Sequence, residues 1–277
     1  MLSYRHGFHA GNHGDVLKHW VLVLCLDYLK QKDKPFFYID THSGSGRYSL
    51  KDAYARKTAE ADNGIVRLWQ AAELPDVLQP YLDLVRDSNQ GKLVNYPGSP
   101  ALAAAMLREN DRLRLIEMHG SDLAALQKRF ARDRRVKVLE GDGFVSVKGL
   151  LPPETRRGLV LMDPSYEIKS DYNKVLKAMN ECLKRFANGQ YLVWYPLINS
   201  VSAQRFSEQL QKLPCETWLD VQLKVSRPPQ GHGMYGSGMF VINPPWTLRE
   251  QLEQGMPALT HLLAQDDGAE WTVQVNS

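Results

Sequence analysis

Asp163-Pro164-Ser165-Tyr166 is the segment of this chain with the clearest chemical content. It follows the apolar run Leu159-Val160-Leu161-Met162 directly, which places the aspartate at a strand end. The Asp163 carboxylate and the Pro164 carbonyl are two acceptors on adjacent residues. Such a pair can bind both N–H groups of an exocyclic amine such as adenine N6. The lone pair of that amine is delocalised into the ring, so the nitrogen is a poor nucleophile. Accepting from both hydrogens favours a tetrahedral nitrogen whose lone pair is free to meet an electrophilic methyl group. Proline fixes φ and stiffens the turn. Tyr166 offers a ring on which an extruded base can stack, worth about 1–3 kcal/mol in such sites.

The tetrapeptide is one residue from Asp-Pro-Pro-Tyr, the signature of enzymes that methylate exocyclic amines of bases. Ser165 stands in place of the second proline and leaves both acceptors and the aromatic ring intact. Asp-Pro also makes ordinary turns, so the reading depends on what could hold a methyl donor. Asp40-Thr41-His42-Ser43-Gly44-Ser45-Gly46 puts small residues after the run Phe36–Asp40, where backbone can approach a ligand closely. A dinucleotide fingerprint would need a third glycine at 49, where Ser49 stands, so NAD is disfavoured. Glu117 ends the run Leu113–Glu117 and suits ribose hydroxyls. Asp142, in Glu140-Gly141-Asp142-Gly143, suits an adenine amine. Glycines, acid, acid, then Asp-Pro-x-Tyr is the order expected of a methyltransferase that uses S-adenosyl-L-methionine. Asn243-Pro244-Pro245-Trp246 is a rival tetrapeptide, but no cofactor turn follows it, and it reads as a structural strand exit.

These residues need a scaffold. Short β-branched or aromatic runs at Phe36–Asp40, Leu113–Glu117, Val136–Leu139, Leu159–Met162 and Tyr191–Trp194 read as buried parallel strands, with helical patterns between most of them. Trp218–Val225 and Met239–Asn243 close the chain without a helix between them, as an antiparallel edge. The expected fold is therefore α/β and Rossmann-like, a mostly parallel seven-stranded sheet with helices on both faces. In nucleotide-binding α/β units an acid usually follows the glycine-rich turn by about 20 residues, at the next strand's end, yet here the next strand-terminal acid after Asp40 is Glu117. We read residues 48–96 as a helical insertion within a single domain spanning 1–277. Its helices are predicted at Gly64–Ala72 and Asp76–Arg86, split by Leu74-Pro75. The 226–238 connection is long for a hairpin and carries Arg227, His232 and Tyr235. It is expected to close over a substrate.

The 277 residues are 43% hydrophobic and 23% charged, enough for a full core. No run approaches the roughly 20 apolar residues of a membrane span, and the amino terminus turns polar at once, so a cytoplasmic location is expected. Cys25, Cys182 and Cys215 form no CxxC pair. His6, His9, His13 and His19 match no metal-site spacing, and no metal is expected. His19 follows Lys18 at the start of a buried helix, where two potential cations can receive a carboxylate or phosphate. Pro97-Gly98-Ser99-Pro100 reads as a helix start with Ser99 as N-cap and Pro100 at N1. A net charge of +3 permits a polyanionic partner without requiring one. Lys128-Arg129-Phe130-Ala131-Arg132-Asp133-Arg134-Arg135 reads first as a solvated helix end and otherwise as a phosphate-contacting patch.

Taken together, several stretches resemble the RlmJ family of bacterial 23S ribosomal RNA adenine-N6 methyltransferases, nearly end to end. They are Leu2-Ser3-Tyr4-Arg5-His6, Phe8-His9-Ala10-Gly11-Asn12-His13, Asp15-Val16-Leu17-Lys18-His19, Asp40-Thr41-His42, Tyr96-Pro97-Gly98-Ser99-Pro100, Asp163-Pro164-Ser165-Tyr166-Glu167 and Val241-Ile242-Asn243-Pro244-Pro245-Trp246. The resemblance implies a Rossmann-like fold with an inserted helical subdomain, acting as a monomer on 23S ribosomal RNA. It implies that His19, His42, Ser99, Glu117, Asp142, Gly143 and Asp163 contact S-adenosyl-L-methionine. By the same match Asp163 is catalytic and Tyr4 touches the RNA; the residues themselves add Pro164 and Tyr166 to the catalytic turn, and Lys18 and Tyr166 to the RNA contacts. Two alternatives stay open: a DNA adenine-N6 methyltransferase, and a non-catalytic nucleic-acid-binding protein linked to use of external DNA.

Overall fold

The computed structural model describes residues 9–51, 59–231 and 233–276. In chain order its first half runs α1 (His13–Lys30), β1 (Phe37–Asp40), β2 (Arg47–Ser49), α2 (Ile65–Gln70), α3 (Gln79–Asp87), β3 (Asn95–Pro97), α4 (Ser99–Met106), β4 (Arg112–Glu117), α5 (Gly120–Phe130) and β5 (Val136–Glu140). The second half runs α6 (Gly143–Ser146), β6 (Gly158–Met162), α7 (Ser170–Arg185), β7 (Gln190–Ile198), α8 (Val201–Gln204), α9 (Phe206–Leu210), β8 (Trp218–Lys224), β9 (Met234–Ile242), α10 (Leu248–Leu263) and β10 (Glu270–Val275).

The main sheet has the order β10-β8-β9-β7-β6-β1-β4-β5. β5, β4, β1, β6 and β7 are parallel, and β9, β8 and β10 join by antiparallel pairing. The α/β sheet expected from the sequence is thus present, but with eight strands instead of seven. The extra strand, β10, has a weak signature. Trp271, Val273 and Val275 alternate with polar residues and are only partly buried, because β10 is an edge strand. In the parallel core, Tyr38, Leu159, Leu161 and Leu192 pack on the side of α1 and α10. Ile39, Val160, Met162 and Val193 pack on the side of α7. Period-two alternation along fully buried strands thus divides one apolar run between two cores.

The chain winds outward from β1 to β4 and β5, then returns to lay β6 on the other side of β1. Such a reversal opens a crevice beyond the carboxyl ends of the strands, where ligands bind in open α/β sheets. α1 is buried almost all round, from Val16 to Leu26, between the sheet and the segment that precedes β3. That segment is bracketed by the β2–β3 pair, in which Tyr48 faces Tyr96. It holds α2 and α3, separated near Leu74-Pro75 much as the sequence suggests. It is tied to α1 by Trp20 Nε1 donating to the Val77 carbonyl at 2.8 Å. Gly64 allows a close approach there, since a Cβ would fall 2.0 Å from the Gly11 carbonyl oxygen.

α1 starts under the Asn12 cap, whose side chain accepts from Asp15 N at 2.9 Å. His13, its first residue, is buried with Nδ1 unbonded among the described residues. Burial pulls the His13 imidazole down to about 4, against the opposing pull of Glu60 and Asp15. The unfolded chain therefore binds more protons at His13 between pH about 6.5 and about 4, and stability falls as pH falls through that window. We expect His13→Gln, which cannot ionise, to lose this part of the acid sensitivity, about 2 kcal/mol between pH 7 and pH 5. Urea unfolding at pH 7 and pH 5 checks it; identical pH dependence in both proteins would refute the assignment.

Candidate active site

Beyond the ends of β1, β4, β5 and β6 the crevice forms a cleft of about 280 Å³. All seven residues expected to hold a cofactor line it: His19, His42, Ser99, Glu117, Asp142, Gly143 and Asp163. Pro164 and Lys18 line it as well. The wall carries Glu117, Asp122, Asp142, Asp163 and Asp171 against two lysines, each ion-paired with an aspartate. An acidic wall suits a cationic ligand rich in hydroxyls and amines, and it opposes a pyrophosphate.

Glu117 is fixed by three backbone N–H groups. Gly44 N donates to Oε2 at 2.7 Å, and Met118 N and His119 N donate to Oε1 at 2.9 and 2.7 Å. The carboxylate thereby welds the loop after β1 to the end of β4 and keeps lone pairs for ligand hydroxyls. Asp142 caps α6 by accepting from Phe144 N at 2.8 Å. Gly143 beside it must be glycine, because a Cβ would lie 1.9 Å from the Thr41 carbonyl oxygen. The β1 and β5 loops meet backbone to backbone there, and that contact shapes the cleft floor.

Asp40 closes β1, and its sequence context assigns it no site role. Its buried carboxylate accepts from Ser99 Oγ at 2.7 Å and Tyr38 Oη at 2.8 Å. Burial pushes Asp40 up to about 6, against those two hydrogen bonds. This corrects the expected role of Ser99 as N-cap: Gly98 occupies that position, and the serine hydroxyl turns to Asp40. His42 bonds Thr41 Oγ1 through Nδ1 at 2.8 Å and meets Phe144 edge-on at 4.8 Å. Burial lowers His42 to about 4 despite nearby carboxylates, so it meets a ligand as neutral imidazole. His19 Nδ1 lies 2.6 Å from Tyr96 Oη, which sets the ring from the β2–β3 side.

At the other end of the cleft, Lys18 Nζ donates to Asp163 Oδ2 at 2.5 Å and to Asp15 Oδ1 at 2.7 Å. Burial works against the ammonium, but Asp15 and Asp163 outweigh it and raise Lys18 above the ordinary lysine range. Lys18, expected at the RNA entry, does line the cleft, but it is buried and held by two carboxylates. It is a buried bridge from α1 to the Asp163-Pro164 turn. Asp15 and Lys18 sit three residues apart on one helix face, a spacing that was visible in the sequence.

Tyr166 also departs from expectation. Its ring is buried against Tyr172, Trp194 and Phe206, and its hydroxyl donates to the Trp194 carbonyl at 2.7 Å. It does not line the cleft, so the faces a base would stack on are occupied by protein. With φ at +53° it instead shapes the turn that presents Asp163 and Pro164. Tyr4 and His6 lie outside the described residues. In the 226–238 segment, β9 already begins at Met234, Tyr235 is buried, and Arg227 is clasped by Asp266 and Asp267. His232 is not described. Asn243-Pro244-Pro245-Trp246 leaves the far end of the sheet, because β9 runs antiparallel to β7 and Ile242 pairs with Tyr191. Asn243 there donates to the Ala187 and Gly189 carbonyls, both at 2.7 Å. It is a strand exit, as read from the sequence. Among the described residues no three His, Cys, Asp or Glu converge to hold a metal, and no helix is long and apolar enough to cross a membrane.

We expect Lys18→Met to leave Asp15 and Asp163 facing each other without a counter-ion and to cost about 3–5 kcal/mol. Denaturant unfolding measures it, and a loss under 1 kcal/mol would show that the bridge is dispensable. A double substitution of Lys18→Met with Asp15→Leu should recover part of the loss.

A profile of the family described as "Ribosomal RNA large subunit methyltransferase D, RlmJ" matches residues 33–275. The chain is 47% identical over 276 residues to Ribosomal RNA large subunit methyltransferase J of Haemophilus influenzae, covering 99% of this chain and 98% of that protein. It is 47% identical over 260 residues to the Escherichia coli protein of the same name, covering 94% and 93%. Among solved structures, protein LPL1258 from Legionella pneumophila superposes with a TM-score of 0.90 at 35% identity, covering 97% of this chain and 99% of that one. On that profile match, two near full-length relatives and a shared architecture, the chain belongs to the RlmJ family of ribosomal RNA large subunit methyltransferases.

Proposed function

We propose that this protein transfers a methyl group from S-adenosyl-L-methionine to the exocyclic N6 of a specific adenosine in 23S ribosomal RNA. The observation that carries this reading is a convergence: the Asp163-Pro164 acceptor pair and the Glu117, Asp142 and Gly143 wall face one cleft at the switch point of the sheet. The wall fits the cofactor in kind, with fixed carboxylates for ribose hydroxyls and for amines, a backbone-tight floor at Gly143 and net negative charge near a sulfonium. When bound, S-adenosyl-L-methionine supplies an electrophilic methyl group.

The protein's own part is orientation and charge. Lys18 occupies Asp163 Oδ2, and Oδ1 has no hydrogen bond among the described residues. We assign Oδ1 and the Pro164 carbonyl to the two N6 hydrogens. Asp163 then stabilises the positive charge that develops on nitrogen as the new bond forms. The base must arrive unpaired or flipped, since the amine is unreachable inside a helix. Tyr4 is kept as an RNA contact on the family resemblance alone. Residues 48–96 are taken as an insertion in one methyltransferase domain that acts as a monomer.

Labelled methyl transfer to matched RNA and DNA oligonucleotides, with wild type and Asp163→Ala, tests the reading. We expect transfer to adenine N6 of RNA, and a fall in kcat of about 10²–10³-fold in the variant. Transfer to DNA alone, or near-wild-type turnover by the variant, would overturn it.

A further inference from the structure

The basic run that ends α5 takes no part in the site above. α5 starts beside the cleft at Gly120 and descends to the opposite end of the sheet; its 11 residues span about 16 Å at 1.5 Å per residue. There Arg132, Arg134 and Lys137 line a common groove of about 590 Å³ along β5, the edge strand of the sheet. Lys128 and Arg129 lie in the last turn of α5, where the helix dipole favours cations. That explanation does not reach Arg132, Arg134 and Lys137, which lie beyond the helix.

Among the described residues none of these five side chains has an ion pair or a hydrogen bond. Asp133 is the sole acid between positions 128 and 137, and Arg135 takes it through Nε at 2.9 Å and Nη2 at 2.7 Å. Arg135 also donates to the Leu107 carbonyl at 2.7 Å, so it is turned inward and is structural. The basic surface extends further. The Arg129 stem lies over Gly46, where a Cβ would come within 3.5 Å of its Cδ, so it sits beside Arg47. Burial first, and then the charge of Arg47, lower the Arg129 pKa. Arg47 donates to the Ser88 carbonyl at 3.0 Å, but its buried Nε has no partner and no carboxylate pairs with it among the described residues. The next residue, Tyr48, lines the cleft. The cations thus fall into two groups, Arg132, Arg134 and Lys137 in the β5 groove and Arg129 with Arg47 next to Tyr48 at the cleft wall, and an RNA strand passing over both would follow a basic track.

Uncompensated like charges repel one another, and a polyanion relieves that repulsion while releasing its own counterions. We infer that this track binds the sugar–phosphate backbone of the RNA flanking the target adenosine, an inference that rests on the RNA-methylating reading. Its contribution is affinity and register, with no part in the chemistry.

The test is an Arg132→Ser/Arg134→Ser/Lys137→Ser triple variant, assayed for methyl transfer to protein-free 23S RNA across a KCl series. KM for RNA should rise about tenfold or more, and the log–log salt slope should become shallower by about 2–3. The kcat at saturating RNA and the S-adenosyl-L-methionine affinity by calorimetry should not change, which also shows that the variant is folded. The Arg132→Lys/Arg134→Lys/Lys137→Arg variant should keep wild-type KM. Unchanged KM and slope in an active triple variant would overturn the inference and leave the reaction intact. Should wild type fail to methylate RNA, the functional reading falls; filter binding of a plain RNA duplex then decides the track by the same salt slope.

Discussion

The arrangement that organises this molecule is one buried ammonium shared between two carboxylates. Lys18 lies on the second turn of α1, and Asp163 lies at the end of β6, 145 residues away along the chain. Removing both from water is costly, and the pair is viable because Asp15 supplies a second carboxylate from the same helix at 2.7 Å. Asp15 is itself held, since its Oδ2 accepts from Gly11 N at 2.9 Å. The start of α1 therefore fixes where Asp163 stands. A mobile carboxylate could not hold an amine in one orientation, and preorganisation of this kind is what lets fixed charge act on a transition state.

The opposite end of the cleft is built differently. Its polar groups are set mainly by backbone: three N–H groups on Glu117, one on Asp142, and the Gly143–Thr41 contact. Backbone cannot change rotamer, so this half is a rigid mould, whereas the Asp163 end depends on side chains from α1 and the end of β6. Asp40 joins the two halves. It lies under the loop after β1, accepts from Ser99 and Tyr38, and is coupled electrostatically to Asp163 and Lys18.

The segment between β2 and β3 supports the site from behind. It carries Tyr81, whose hydroxyl lies 2.9 Å from Tyr96 Oη, and Tyr96 in turn meets His19. Trp20 reaches the same segment through the Val77 carbonyl. Changes in this segment therefore reach the cleft through α1 and the tyrosine pair without any direct contact with a ligand.

Much of the architecture was legible from pattern alone. Buried strands announce themselves as short apolar runs, and acids at or just after their ends mark the edge where the cleft forms, so Glu117, Asp142 and Asp163 stand out in the sequence. Residues 64–86 read as two helices broken at Leu74-Pro75 because propensity and proline act locally. Three things depended on tertiary structure. Lys18 read as a cation waiting for a ligand carboxylate, a phosphate or RNA because sequence does not report which residue 145 positions away will meet it. Tyr166 looked like a stacking platform because a tetrapeptide shows ring type but not which neighbours cover the ring. β10 was missed because an edge strand is half-exposed and needs only weak alternation. Local chemistry is encoded by spacing, and the partners that decide burial and charge are brought together only by the fold.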